Sequence, residues 1–82
     1  MKNIEWLFVN RTTSLEEILK KQNDAPDRQL PAGIVLVVDK HNSIIGTITD
    51  GDVRRSLIRD KAENHIAETI MNDDPILFYI KD

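Results

Sequence analysis

Residues 46–55, GTITDGDVRR, place two threonine hydroxyls, two carboxylates and two guanidinium groups around Gly51. Such a set suits an anionic, hydroxyl-rich ligand. A helix that opens directly after a strand presents unpaired backbone N–H groups and the positive end of its dipole, which attract phosphate or carboxylate. The hydroxyls of Thr47 and Thr49 are able to donate to phosphate oxygens, Asp52 to accept from ribose hydroxyls, and Arg54 or Arg55 to grip phosphate in a forked pair. Gly51 lets a ligand or the backbone come close, and Asp50 completes the polar stretch. Together these groups match the sugar and phosphate of a nucleotide.

The same spacing has a second reading. Thr49 and Asp52 stand at the T-x-x-D interval of a capping box, in which the two side chains satisfy the helix's own orphan N–H groups. Asp50 and Arg54 are four apart with the acid first, worth about 0.2–0.5 kcal/mol in a helix without any ligand. Against this, Arg54 and Arg55 lie in the first turns, where a cation is disfavoured by up to about 1 kcal/mol unless an anion compensates it. That anion is either Asp50 and Asp52 or a bound ligand.

The elements that position these residues follow from apolar pattern and turn chemistry. Residues 4–10, IEWLFVN, read as a strand, and TTSLEEILKK as a helix with Ser14 and Glu17 as a capping box and Leu15, Ile18 and Leu19 on one face. Residues 23–33 carry two prolines and a glycine and read as a loop. IVLVVD, the turn KHNS and IIGTIT form a hairpin. DGDVRRSLIRDK is a helix in which Val53, Leu57 and Ile58 repeat at helical spacing and Arg59 and Lys61 lie at the C-terminal end. A single helical turn pairing Ile66 with Ile70 follows, and residues 76–80, ILFYI, read as a last strand. The order is β-α-β-β-α, then a connector and a strand.

Size and charge exclude several classes. The 82 residues make one small domain whose short chain buries a modest share of its surface, so a partner over its apolar faces is expected. There is no cysteine, hence no disulfide or thiolate chemistry, and no signal segment, which reads as a cytoplasmic chain. The net charge of −3 without long single-sign blocks points to neither nucleic acid nor membrane. His41 in a turn and His65 in the connector lack zinc spacing and read as surface residues, while Asp50-Gly51-Asp52 lacks the setting of a magnesium site. Ser14, Ser43 and Ser56 have no His-Asp partners, and Trp6, Phe8, Phe78 and Tyr79 read as core or interface anchors. No catalytic constellation is present, so a non-enzymatic role is expected.

GIVLVVDKHNSIIGTITDGDVRRSLI resembles the core of a cystathionine β-synthase (CBS) type domain, whose pattern is a Val-Val-Asp strand, a turn, and Gly-x-x-Thr-x-x-Asp leading into a helix. Gly46, Thr49 and Asp52 fill those slots. The resemblance implies an α+β fold with one complete CBS motif at 1–62, a connector at 63–75, and the opening strand of a truncated second motif at 76–82. It further implies that Thr49 and Asp52 serve the phosphate and ribose of an adenosine-type nucleotide, with AMP, ADP or ATP as regulatory ligand rather than cofactor. The form TDGDVRR is similar to CBS pairs attached to bacterial sugar-phosphate isomerases and sugar nucleotidyltransferases. The expected function is therefore regulation of an attached catalytic domain by an adenine nucleotide or nucleotide sugar, and the alternative is a structural dimerisation module without ligand. In both cases a homodimer replaces the missing repeat.

Overall fold

The computed structural model describes residues 4–59 and 65–73. Its fold is α+β: a three-stranded sheet in the order β1 (Phe8–Val9), β2 (Ile34–Val38), β3 (Ile44–Thr49), with helices α1 (Leu15–Asp24), α2 (Asp50–Arg59) and the single turn α3 (Ala67–Ile70). β1 runs parallel to β2, Phe8 facing Leu36 and Val9 facing Val37. β3 is antiparallel to β2, from Ile34 opposite Thr49 to Val38 opposite Ile44, with an irregularity between Val37 and Val38. Successive strand side chains point to opposite faces, so Val35, Val37 and Ile48 all reach the helix-covered side, where they are completely buried. Val9, Ile18, Val53, Ala67 and Ile70 complete that core.

The apolar run IEWLFVN does not form one strand. Residues Ile4–Leu7 make a 3-10 turn, and only Phe8 and Val9 pair in the sheet. Two clusters divide the run: Val9 enters the main core, while Leu7 turns into a second cluster with Ala25 and Leu30. Lys21 locks the turn by donating from Nζ to the Trp6 carbonyl at 2.8 Å and lying 4.3 Å from the centre of the indole ring. The stretch 23–33 is likewise more ordered in form than a loop, because α1 continues to Asp24 and a 3-10 turn spans Ala25–Arg28. Pro26 suits the start of that turn, and Gln29 ends it in the left-handed region at φ 61.

In both long helices part of the expected apolar face turns inward, Leu15 and Ile18 in α1 and Val53 in α2, while a polar residue takes the place of its remaining members. In α1 the Ser14 hydroxyl accepts the Glu17 N–H at 3.2 Å, one half of the expected box. Its inward stripe is Leu15, Ile18 and Gln22, while Leu19 stands 44% exposed. In α2 the inward residues are Asp52, Val53 and Ser56, and Leu57 and Ile58 face outward. Ser56 turns in because its hydroxyl meets His65 Nδ1 at 3.3 Å, so His65 is half-buried rather than a solvated surface residue. His41 is exposed, as expected.

The described part of the connector, 65–73, is woven into the fold. Leu15, Ala67 and Glu68 N–H groups donate to the carbonyls of His65, Thr13 and Arg11, and Thr47 and Asn72 exchange both backbone hydrogen bonds at 3.0 and 2.8 Å. The expected strand 76–80 and Lys61 lie outside the described residues.

The hairpin turn after β2 is built by one carboxylate. Asp39 Oδ1 accepts the N–H groups of His41 at 2.8 Å and Ser43 at 3.0 Å, while Asn42 adopts φ 64. The Ser43 and then the His41 hydrogen bond hold the Asp39 carboxyl below its ordinary value of 3.8. A depressed carboxyl favours the folded turn above the ordinary value and loses that contribution as pH falls through the folded one. The amide shifts of His41 and Ser43 are therefore expected to titrate together with a midpoint below 3.8. A midpoint at or above it would mean that these N–H groups do not hold the carboxylate.

Candidate functional site

β3 ends at Thr49 and α2 begins at Asp50 with no residue between them. The strand therefore delivers the first helical turn directly to the edge of the sheet. Asp52 Oδ2 accepts the Thr49 N–H at 2.9 Å and the Thr49 hydroxyl at 3.0 Å, and the Asp52 N–H donates to Thr49 Oγ1 at 3.3 Å. This is the reciprocal capping box that the spacing allows. The second oxygen, Oδ1, accepts from Arg55 Nη2. Asp52 is thus a buried carboxylate with three donors, while Arg55 remains two-thirds exposed.

Gly51 has a local reason. A Cβ there would meet Arg55 Nη1 at 3.3 Å, so the bare backbone lets the guanidinium fold back over the first turn. Asp50 turns the other way: its carboxylate oxygens lie 3.0 and 3.4 Å from the place a Cβ would occupy on Gly33, which has φ +77. The two aspartates consequently serve different partners rather than converging on one point. Among the described residues no group of three His, Asp or Glu could hold a metal ion.

Of the seven residues singled out by sequence, the fold gathers Thr49, Gly51, Asp52 and Arg55 into one cluster, and sets Asp50 against the loop that enters β2. Thr47 lies two positions earlier, buried, with its backbone taken by Asn72. Arg54 is exposed and makes no ion pair with Asp50, so the expected i,i+4 support is absent. The guanidinium that meets an aspartate is Arg55, through Asp52.

Further residues meet this cluster that were not singled out from the sequence. A polar cleft of ≈ 250 Å³ runs along α2, lined by Asp52, Arg55 and Arg59 on one side and by Thr69, Asn72 and Asp73 of the connector on the other. Arg59 lies one turn beyond Arg55 on the same helical face, a relation the i,i+4 spacing contains. Gly33 lies against the Asp50 carboxylate and Gln22 donates to the carbonyls of Gly33 and Ile48 next to the cluster, relations made by the fold that no local signal identifies. A second cleft of ≈ 620 Å³ opens at the far ends of β1 and β2, beside Arg11, Asp39 and His41. Among the described residues no helix is long and apolar enough to cross a membrane.

No protein-family profile matches this chain, and no curated protein matches it. Solved structures do. A CBS-domain-containing protein from Agrobacterium tumefaciens superposes with a TM-score of 0.68 over 82% of this chain and 48% of its own, at 17% identity. An uncharacterized conserved protein from Pyrococcus horikoshii gives 0.63 over 89% of this chain and 52% of its own, at 22% identity. The chain spans about half the length of either. At these identities the likeness is one of fold: the β-α-β-β-α arrangement is CBS-like.

Proposed function

We propose that this chain is a non-catalytic regulatory CBS module that binds an adenosine-type nucleotide or a related phosphate ligand at the start of α2 and modulates an attached enzyme. The observation that carries this reading is the Thr49–Asp52–Arg55 cluster at a strand-to-helix junction, opening onto a cleft with a second arginine, Arg59. Ribose hydroxyls would donate to Asp52, and phosphate would face the exposed side of Arg55. The attached enzyme is proposed as a sugar nucleotidyltransferase or sugar-phosphate isomerase, a reading that rests on the TDGDVRR likeness. Two copies would pair as a homodimer.

A second reading is favoured by a specific observation. The capping box closes on itself without a ligand, and Leu57 and Ile58 leave an apolar face of α2 exposed, as a purely structural dimerisation module would need. Thermal unfolding separates the two. AMP, ADP, ATP and sugar nucleotides are added to wild type and to Asp52→Asn, which keeps an acceptor for Thr49 but loses the charge that holds Arg55. A ligand at a hundred times its dissociation constant stabilises the folded form by about 2.7 kcal/mol. A rise in Tm for one nucleotide class in wild type, lost in Asp52→Asn, is the expected result. No rise for any of them, with both proteins folded, would leave the dimerisation module.

A further inference from the structure

Gln22 is the one polar residue in the buried stripe of α1 described above, and it is 6% exposed. Its amide nitrogen donates to two backbone carbonyls, Gly33 and Ile48, each at 3.3 Å. Two carbonyl acceptors fix the orientation of the amide, because the opposite one would set oxygen against oxygen. The amide oxygen, Oε1, is buried and has no donor. A buried acceptor without a donor is unfavourable, and an apolar side chain of this length would fill the same space without it. The position of the two bonds therefore calls for an account.

Gly33 immediately precedes β2, and Ile48 lies one residue before the end of β3. Gln22 thus ties the entry of one strand to the exit of the other at the level where α2 begins. Gly33 is also the residue against which the Asp50 carboxylate rests, and Ile48 is the neighbour of Thr49. One side chain on α1 therefore grips both walls of the junction that holds the Thr49–Asp52 box. We infer that Gln22 is a positioning residue for the candidate ligand site, setting the gap between the loop before β2 and the first turn of α2.

As a role in ligand binding, this rests on the nucleotide reading above; as a role in local geometry, it does not. The 82-residue chain is compared as wild type, Gln22→Met, which keeps length without polar atoms, and Gln22→Glu, which keeps shape but loses the donors. Amide exchange is read at Thr49 and Asp52, both hydrogen-bonded within the box, and at Thr47 and Ala67, which bond to Asn72 and Thr13. Both variants are expected to speed exchange at Thr49 and Asp52 about tenfold, the order of one lost buried hydrogen bond, and to leave Thr47 and Ala67 within about twofold. A uniform rise at all four, or no rise at Thr49 and Asp52, would overturn the inference. Where wild type binds a nucleotide, Gln22→Met is expected to weaken it about tenfold, and unchanged affinity would overturn the ligand role. Where wild type binds none, the nucleotide reading fails, and the exchange pattern still decides the local role.

Discussion

Replacing Ile70 with alanine is expected to lower the unfolding free energy by about 2–4 kcal/mol, within the roughly 2–5 kcal/mol seen for truncating a buried isoleucine. Ile70 lies in the single turn α3, is 6% exposed, and packs in the same cluster as Val9, Ile18, Val35, Val37 and Ile48. The backbone around it has little room to collapse into the space left behind. The Ala67 and Glu68 N–H groups are held by Thr13 and Arg11, and Asn72 is bonded twice to Thr47. A chain of this length has roughly 4–12 kcal/mol of total stability, so the loss is a large fraction. In thermal unfolding it corresponds to a fall in Tm of roughly 10–30 °C. A fall below about 4 °C would mean that the connector is a detachable strap rather than part of the core.

That expectation inverts what composition suggests. AENHIAETIMNDDP has polar residues at most positions, and only the pairing of Ile66 with Ile70 hints at helix. The burial of Ala67 and Ile70 depends on a surface made elsewhere, by α1, β3 and α2, which no local window contains. The hairpin was legible for the opposite reason: branched residues at 34–38 and 44–49 fill both faces of paired strands, and Asp39 and Asn42 supply the turn. The buried helical faces are less legible. Leu19 and Leu57 satisfy an apolar period, yet Gln22 and Ser56 take the inward places because each finds a polar partner, the carbonyls of Gly33 and Ile48 for one and His65 for the other. Periodicity counts hydrophobicity and is blind to such pairings.

The chemistry at 46–55 was legible as two alternatives, and the geometry realises the capping box. This does not remove the ligand reading, since one carboxylate both caps the helix and faces a cleft beside two arginines. It changes how the site has to be tested. Asp52→Ala strips three donors of their acceptor and leaves the Thr49 N–H unpaired, so lost binding in that variant would be confounded with a loosened helix start. The asparagine variant retains an acceptor and isolates the charge.

Gly46 fills the glycine slot of the CBS pattern, and its role here is clearance for the connector. A Cβ at this position would lie 2.7 Å from Met71 Sδ, 3.1 Å from Met71 Cγ and 3.2 Å from the Asn72 carbonyl oxygen. Strand propensity alone would favour alanine, since glycine inside a strand costs roughly 0.5–1 kcal/mol. The steric conflict is larger and reverses the sign: Gly46→Ala is expected to destabilise by about 1–3 kcal/mol, the range for overpacking a filled interior. Shortening Met71 removes the two nearest contacts but leaves the carbonyl. Gly46→Ala and Met71→Ala should therefore couple favourably in a double-mutant cycle by about 0.5–2 kcal/mol, without full recovery. The residual loss would come from the Thr47–Asn72 bridge, whose two bonds must stretch to relieve the 3.2 Å approach. Faster exchange of the Thr47 and Asn72 amides in Gly46→Ala, persisting in the double variant, is the expected signature. Additive losses with both amides still protected would place the connector away from β3 and remove this account of the glycine.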